Sequence, residues 1–198
     1  DFIIEIDNKS LTHRPDLWSH FGFARELSAI LHRPLKQRPD LAADIDEHEL
    51  AREIFSTPSH IKTAIDPGCG CRRFAGVLIE GVSTCASPLW MRRRLYAVGA
   101  GVRNLLVDLS NYVMNDIGQP NHTYDAARIS GRELRARLAN EHERFLGLDG
   151  VERQLSAEDI VIADQSGAVA LAGVIGGEGS AIGDQTTAVF LESANFDP

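Results

Sequence analysis

The stretch 106–125 constrains the fold more than any other part of the chain, and it reads LVDLSNYVMNDIGQPNHTYD. An apolar segment that carries polar positions such as Ser110 runs as far as Gly118. Neither a regular helix nor a central strand continues through Pro120, because proline lacks the backbone N–H. His122 follows at once, so polar groups lie on both sides of a tight break, where a packed scaffold often builds a ligand site. The alternative is a helix, a turn and a histidine with a purely structural role.

Helical segments flank this stretch. Apolar residues recur at helical spacing near 16–32, 88–98 and 103–117, and this pattern predicts amphipathic helices. Pro15 suits the start of the first helix, since its missing N–H would be unpaired there anyway. Ser87 is predicted to cap the second helix.

The remaining segments predict strands and turns. Apolar, β-branched or alternating patterns predict strands at 1–7, 61–66, 71–82, 131–139, 160–164 and 188–196. The segment 71–82 is apolar enough to be a central strand. We therefore expect an α+β fold, with a mixed or antiparallel sheet and helices packed on it.

Composition limits the class of protein. The 198 residues, 43% of them hydrophobic and 24% charged, suit one domain or two small lobes that share a core. The net charge of −8 argues against a strong autonomous nucleic-acid binder, because such proteins are more often basic. Local basic patches remain, at 72–73 and 92–94, and the alternative for the second is the solvated face of a helix. No membrane span and no metal site is expected, and the three cysteines are predicted to be reduced thiols.

Segments spread along the chain resemble one known family. The stretch 106–125 is similar to VDxTNYVMxxxGQPxHxxD of the bacterial phenylalanyl-tRNA synthetase β subunits, in the region called B3/B4. HRPDLWSHFGFARE resembles NRPDxxSHxGxARE, SPLWMRRRLYAVGAGVRN resembles SPxWLxxRLxxxGxRxxN, and AVFLESANF resembles VxLExAxF. Residues 1–198 are therefore identified as a B3/B4 domain, an internal fragment of a longer chain. Only 35–59 has no match, and it is predicted to be a surface excursion.

The resemblance implies a function. The full enzyme is a phenylalanine–tRNA ligase that uses ATP and Mg²⁺, is cytoplasmic, and pairs α with β subunits in an α2β2 heterotetramer. No cofactor is expected in this fragment, whose implied role is editing, the hydrolysis of mischarged Tyr-tRNA(Phe) at the tRNA acceptor end. A pocket for phenylalanine rejects an analogue with an added hydroxyl by only about 10², whereas a site built to bind the hydroxyl discriminates by about 10⁴–10⁵.

The resemblance also assigns roles to residues. Glu192 matches the glutamate that accepts a hydrogen bond from the tyrosine hydroxyl, and the alternative is a structural glutamate paired with an arginine. His122 matches the histidine near the scissile ester, where it orients the attacking water or acts as a base. Asn111 and Ser110 match the residues that contact substrate or water.

Small residues complete the implied site. Ala172 and Gly173 match the pair that leaves room for the substrate ring, and Pro120 shapes the turn before the histidine. Asn121 and Thr123 depart from the family, which often has leucine and alanine there. The surroundings of the histidine are therefore expected to be more polar than in the family.

Two other interpretations stay open. The domain is a docking module for tRNA or protein without hydrolytic activity, or it is a free-standing editing domain that acts in trans. The retained glutamate, histidine and asparagine favour the hydrolase over the docking module. The ends of the sequence look cut, which argues against a free-standing domain.

Overall fold

The α-helices and the β-strands belong to two different units of the chain. The computed structural model describes residues 3–36, 48–49, 52 and 60–197. Asp1–Thr57 and Ala86–Gln119 form the helical unit, whereas Pro58–Cys85 and Pro120–Pro198 form the sheet unit. The α-helices whose bounds are described all lie in the helical unit: α1 (His20–Ile30), α2 (Leu89–Ala97) and α3 (Leu105–Ile117).

The helix predicted at 16–32 is divided into two segments. Pro15–Leu17 forms a short 3₁₀ helix, with the proline at its first position as expected. Helix α1 starts afresh at Ser19, because the hydroxyl of Ser19 accepts a hydrogen bond from the N–H of Gly22 and so caps the helix.

The prediction that Ser87 caps α2 is wrong. Pro88 occupies the N-cap position and makes no side-chain cap bond. The Ser87 hydroxyl donates instead to the carboxylate of Asp108 at 2.5 Å, and Asp108 also accepts from the N–H of Arg103. Because Asp108 is fully buried, it needs these partners, and they outweigh a cap bond.

Helix α3 ends where the sequence predicts the break. The side chain of Asn104 caps its start by accepting from the N–H of Val107. Gly118 ends it in the left-handed region, with φ of 82°, which glycine adopts without the steric cost of a Cβ atom. The chain then passes Pro120 and enters a strand at His122.

The sheet unit holds all the described strands. They are β1 (Lys62–Ile65), β2 (Cys71–Glu80), β3 (His122–Asp125), β4 (Glu133–Leu138), β5 (Arg144–Leu146), β6 (Glu152–Gln154), β7 (Ile160–Asp164), β8 (Gly167–Leu171), β9 (Ile175–Gly176) and β10 (Ala188–Phe196). A five-stranded sheet has the order β1-β4-β7-β8-β9, in which β1 and β4 are parallel and the other pairs antiparallel. An antiparallel sheet has the order β2-β10-β3, and β5 pairs with β6.

Strand β10 lies in the middle of the three-stranded sheet, so the prediction of a central position for 71–82 is wrong. Strand β2 lies at one side of it, and Phe74 is its one residue that is buried. The main core packs this sheet against the five-stranded one, with fully buried Tyr124, Phe190 and Leu134 at its centre. The apolar sequence of β2 therefore indicates that one face of the strand packs on the core. It does not indicate that the strand lies in the middle of its sheet.

Two further expectations concern the first quarter of the chain. The strand pattern at 1–7 forms no strand over residues 3–7, and the isoleucines at positions 3, 4 and 6 are exposed, because no neighbouring strand among the described residues pairs with them. The surface excursion predicted at 35–59 lies almost entirely outside the described residues.

The α+β class is confirmed. No helix in the described parts of the chain is long and apolar enough to cross a membrane.

Candidate functional site

His122 and Glu192 lie directly opposite each other on neighbouring strands. In the antiparallel register of β3 and β10, Glu192 pairs with His122 and Phe190 pairs with Tyr124. Opposed residues of an antiparallel pair project from the same face of the sheet. This face is the one that packs into the core, so the histidine and the glutamate stand side by side on it.

Tyr124 holds the carboxyl group of Glu192. The Tyr124 hydroxyl donates to Oε2 of Glu192 at 2.7 Å, and both side chains are buried. The partner is thus a tyrosine hydroxyl and not the arginine of the structural alternative. A carboxylate has about four lone-pair positions on its two oxygens, so this single bond leaves Oε1 able to accept from a ligand.

Burial controls the protonation of this pair. Desolvation raises the pKa of Glu192 to about 7, although the hydrogen bond from Tyr124 works in the opposite direction. Burial and the nearby carboxylate raise the pKa of Tyr124 well above its usual value. Tyr124 therefore stays a donor, while Glu192 gains its negative charge only near neutral pH.

His122 is held as a neutral imidazole. Its ring meets the ring of Tyr124 edge to face, with centroids 4.5 Å apart. A Cβ atom at Gly176 would lie 2.3 Å from Cε1 of His122, so the glycine lets β9 pass against the ring. Desolvation lowers the pKa of His122 to about 4, which makes the imidazole a weak base.

The other predicted residues of the sheet unit lie near the same strands. Ala172 and Gly173 form the turn after β8, where Gly173 has φ of 68°. A Cβ atom at Gly173 would lie 3.9 Å from Cδ2 of Phe196, at the end of β10. Pro120 is exposed, two residues before His122.

Ser110 and Asn111 belong to the helical unit. Both are partly buried residues of α3, and the carbonyl of Asn111 accepts from the side chain of Asn115 at 2.8 Å. Their predicted contacts with substrate or water stay a prediction.

Two residues of the site were not found from the sequence. Tyr124 lies two positions after His122, and the period of a strand places it on the same face, so alternation was an available signal. Gly176 belongs to a glycine-rich segment, but the sequence does not indicate which residue approaches it. That residue is His122, which is distant in sequence. Within the described residues, no three His, Cys, Asp or Glu side chains are grouped so that they could hold a metal ion.

The family of the chain follows from comparison with known proteins. Residues 70–198 match the model of the B3/4 domain, and the chain therefore belongs to the B3/4 domain family. Its relatives include phenylalanine–tRNA ligase β subunits, as the sequence motifs predicted. The β subunit of Solibacter usitatus is 47% identical over 196 residues, and that of Porphyromonas gingivalis is 38% identical over 199 residues.

The similarity covers this chain but only part of those relatives. It spans 99% of the chain and 24% of the Solibacter usitatus protein, and 100% and 23% for Porphyromonas gingivalis, so the chain has about a quarter of their length. The chain also matches the crystal structure of an N-terminal fragment of the phenylalanyl-tRNA synthetase β subunit from Pyrococcus horikoshii. The TM-score is 0.53 and the sequence identity 15%, and the match covers 96% of this chain and 55% of that one. At this identity the match shows a shared fold.

Proposed function

We propose that this chain is the editing part of a phenylalanine–tRNA ligase β subunit and that it hydrolyses tyrosine esterified in error to tRNA(Phe). The observation that carries the proposal is the buried carboxyl of Glu192, fixed through Oε2 by Tyr124 and opposed to His122 across the strands. The names of the relatives and the family of the domain supply the substrate class.

Glu192 distinguishes tyrosine from phenylalanine. With Oε2 held, Oε1 accepts a hydrogen bond from the tyrosine hydroxyl of the substrate. Phenylalanine offers no donor, so its binding would leave a buried carboxylate oxygen unpaired, at a cost of about 1–3 kcal/mol or more. The site therefore favours the mischarged ester over the correct one.

His122 positions the attacking water. In the reaction a water oxygen attacks the ester carbonyl carbon, the bond from that carbon to the ribose oxygen breaks, the ribose oxygen takes up the proton that the water loses, and tyrosine and free tRNA are released. An imidazole with a pKa of about 4 takes up a proton poorly near neutral pH. Because an aminoacyl ester is already activated, orientation of the water by the ring nitrogen suffices.

The remaining implied residues complete the proposal. Ala172 and Gly173 leave space for the substrate ring, Pro120 fixes the approach to His122, and Ser110 and Asn111 contact the substrate or its water. The resemblance assigns ATP, Mg²⁺ and the charging reaction to other parts of the enzyme, which includes an α subunit. No step proposed for this chain uses them.

Deacylation by the complete enzyme tests the proposal. Rates are measured for Tyr-tRNA(Phe) and Phe-tRNA(Phe) with the unmutated enzyme, the Glu192→Ala variant, and Glu158→Ala, which removes an exposed carboxylate of the same unit. We expect selective hydrolysis of the tyrosyl ester, lost or equalised in Glu192→Ala and kept in Glu158→Ala. If the unmutated enzyme hydrolyses neither ester, the editing function is wrong and a docking module remains. Selectivity that survives Glu192→Ala would contradict the role of the glutamate.

A further inference from the structure

Helix α2 carries the strongest local concentration of positive charge in the helical unit. Arg92, Arg93 and Arg94 occupy consecutive positions and are all exposed, whereas Met91 and Leu95 are buried and anchor the helix. No aspartate or glutamate occurs from residue 81 to residue 107, although the whole chain has a net charge of −8. The helix is thus a positive segment of an acidic protein.

The first two of these arginines make no internal ion pair. Several arginines elsewhere in the described residues bind carboxylates, as Arg137 binds Glu143 at 2.7 Å and Arg153 binds Asp149 at 2.6 Å. In contrast, the guanidinium groups of Arg92 and Arg93 have neither an ion pair nor a hydrogen bond to any described residue. Their charges are available to a partner.

Aromatic side chains lie beside the arginines. Trp90 is 51% exposed and Tyr96 is 82% exposed. Arg94 donates to the hydroxyl of Tyr112 at 2.5 Å and lies 5.4 Å from the ring centre of Trp90. The rings of Trp90 and Tyr112 meet edge to face. These contacts hold Trp90 in a fixed orientation while half of its surface stays open.

We propose that the exposed surface of α2, formed by Trp90, Arg92, Arg93 and Tyr96, binds the backbone and an unpaired base of the RNA substrate. This inference rests on the proposed function, which requires an acidic chain to hold a polyanion. The side chains of consecutive helical residues point about 100° apart around the helix axis. Arg92 and Arg93 therefore do not converge on one carboxylate. They suit successive phosphates along a nucleic-acid backbone. Exposed aromatic rings interleaved with arginines are typical of surfaces on which bases stack.

Salt dependence of tRNA(Phe) binding by the complete enzyme tests the arginines. We expect the Arg92→Gln/Arg93→Gln variant to reduce the slope of log affinity against log salt by about 1.5, since each phosphate contact contributes about 0.7–0.9. At ~0.1 M salt the affinity should fall by up to about 30-fold. The control is Arg144→Gln/Arg153→Gln, which changes the net charge equally on the β5–β6 hairpin, where both arginines are already paired with carboxylates, and should leave the slope unchanged.

The aromatic contribution has a different signature. Tyr96→Ala should weaken binding at least about fivefold without a change of slope, because stacking releases no counterions. At saturating tRNA the deacylation rate of all these variants should equal that of the unmutated enzyme, which separates this proposal from the editing function. An unchanged slope in the α2 variant, or an equal change in the control, would overturn the proposal. Altered melting of the enzyme with unchanged tRNA binding would also overturn it and leave the arginines a structural role.

Discussion

At the scale of single residues, the site depends on how one buried acid is paired. Glu192 is 7% exposed and its hydrogen-bond partner is Tyr124, which cannot lose its proton near neutral pH. The bond fixes one carboxylate oxygen and favours the charged form of the acid. Tyr124 is therefore a positioning residue that acts through Glu192.

Tyr124→Phe should change the pH dependence of selectivity. Loss of the hydroxyl removes an interaction that lowers the pKa of Glu192, so this pKa should rise above about 7. The preference for the tyrosyl ester, which needs the carboxylate, should then appear at higher pH. Deacylation of both esters from pH 6 to about pH 9 measures this shift. Tyr112→Phe is the control, and an unshifted profile for Tyr124→Phe would contradict the assignment.

His122 makes a separate prediction about stability. Its pKa is lowered from 6.5 to about 4, so its contribution to stability is present above pH 6.5 and is lost as the pH falls through about 4. Between pH 7 and about pH 5 the unmutated protein should lose roughly 1–2 kcal/mol more stability than His122→Asn. Melting midpoints at both pH values check this, and both proteins keep Glu192, whose raised pKa acts in the opposite direction. Equal losses would show that the histidine is not desolvated.

At the scale of elements, the site is built from three strands. Strand β10 supplies Glu192, β3 supplies His122, and β9 passes against the histidine ring because Gly176 has no side chain. The position of the ring therefore depends on a backbone approach that a single methyl group would block.

Gly176→Ala should reduce activity more than stability. The new Cβ atom would lie 2.3 Å from Cε1 and 2.6 Å from Nε2 of His122, so the ring must move. A misplacement of about 1 Å can cost about 10²-fold in rate, and we expect a loss of this order for the tyrosyl ester with a small change in the melting midpoint. Gly179→Ala, where no atom lies within 4 Å, is the matched control. Full activity of Gly176→Ala would argue against a role of the ring.

Gly22→Ala should destabilise the helical unit. A Cβ atom there would lie 1.6 Å from the carbonyl oxygen of Asp16, which is backbone and cannot rotate away. We expect a loss of about 1–3 kcal/mol or more, measured by thermal unfolding. Gly101→Ala, which meets no atom within 4 Å and has no positive φ, should be nearly neutral. The glycine of the SHFG motif would have no packing role if both variants melted alike.

The accuracy of the sequence predictions differed between elements for physical reasons. The bounds of β10 at 188–196 and the end of α3 at Gly118 were predicted correctly, because apolar alternation and a glycine stop are local signals. The helix at 16–32 was predicted as continuous because the apolar spacing runs through Ser19. The hydrogen bond by which the Ser19 hydroxyl caps α1 depends on side-chain geometry, which that spacing does not reveal. Ser87 was misread as a cap because its partner, Asp108, lies on another helix.

At the scale of the whole molecule, the α+β class could be predicted but the pairing of Tyr124 with Glu192 could not. Tyr124 and Glu192 are 68 positions apart, and only the register of β3 with β10 brings them together. Periodicity indicates which face of a strand is buried, not which strand is its neighbour. The division into a helical and a sheet unit likewise depends on long-range contacts that no local pattern contains.

The central claim is that Glu192 accepts a hydrogen bond from the substrate. The most direct measurement compares hydrolysis of tyrosyl-tRNA(Phe) and 4-fluorophenylalanyl-tRNA(Phe) by the complete enzyme at about pH 8, where Glu192 is charged. Fluorine is close in size to a hydroxyl but has no proton to donate. The account predicts that the tyrosyl ester is hydrolysed at least about 10- to 100-fold faster, because the fluoro analogue leaves the carboxylate unpaired. Equal rates for the two esters would contradict it.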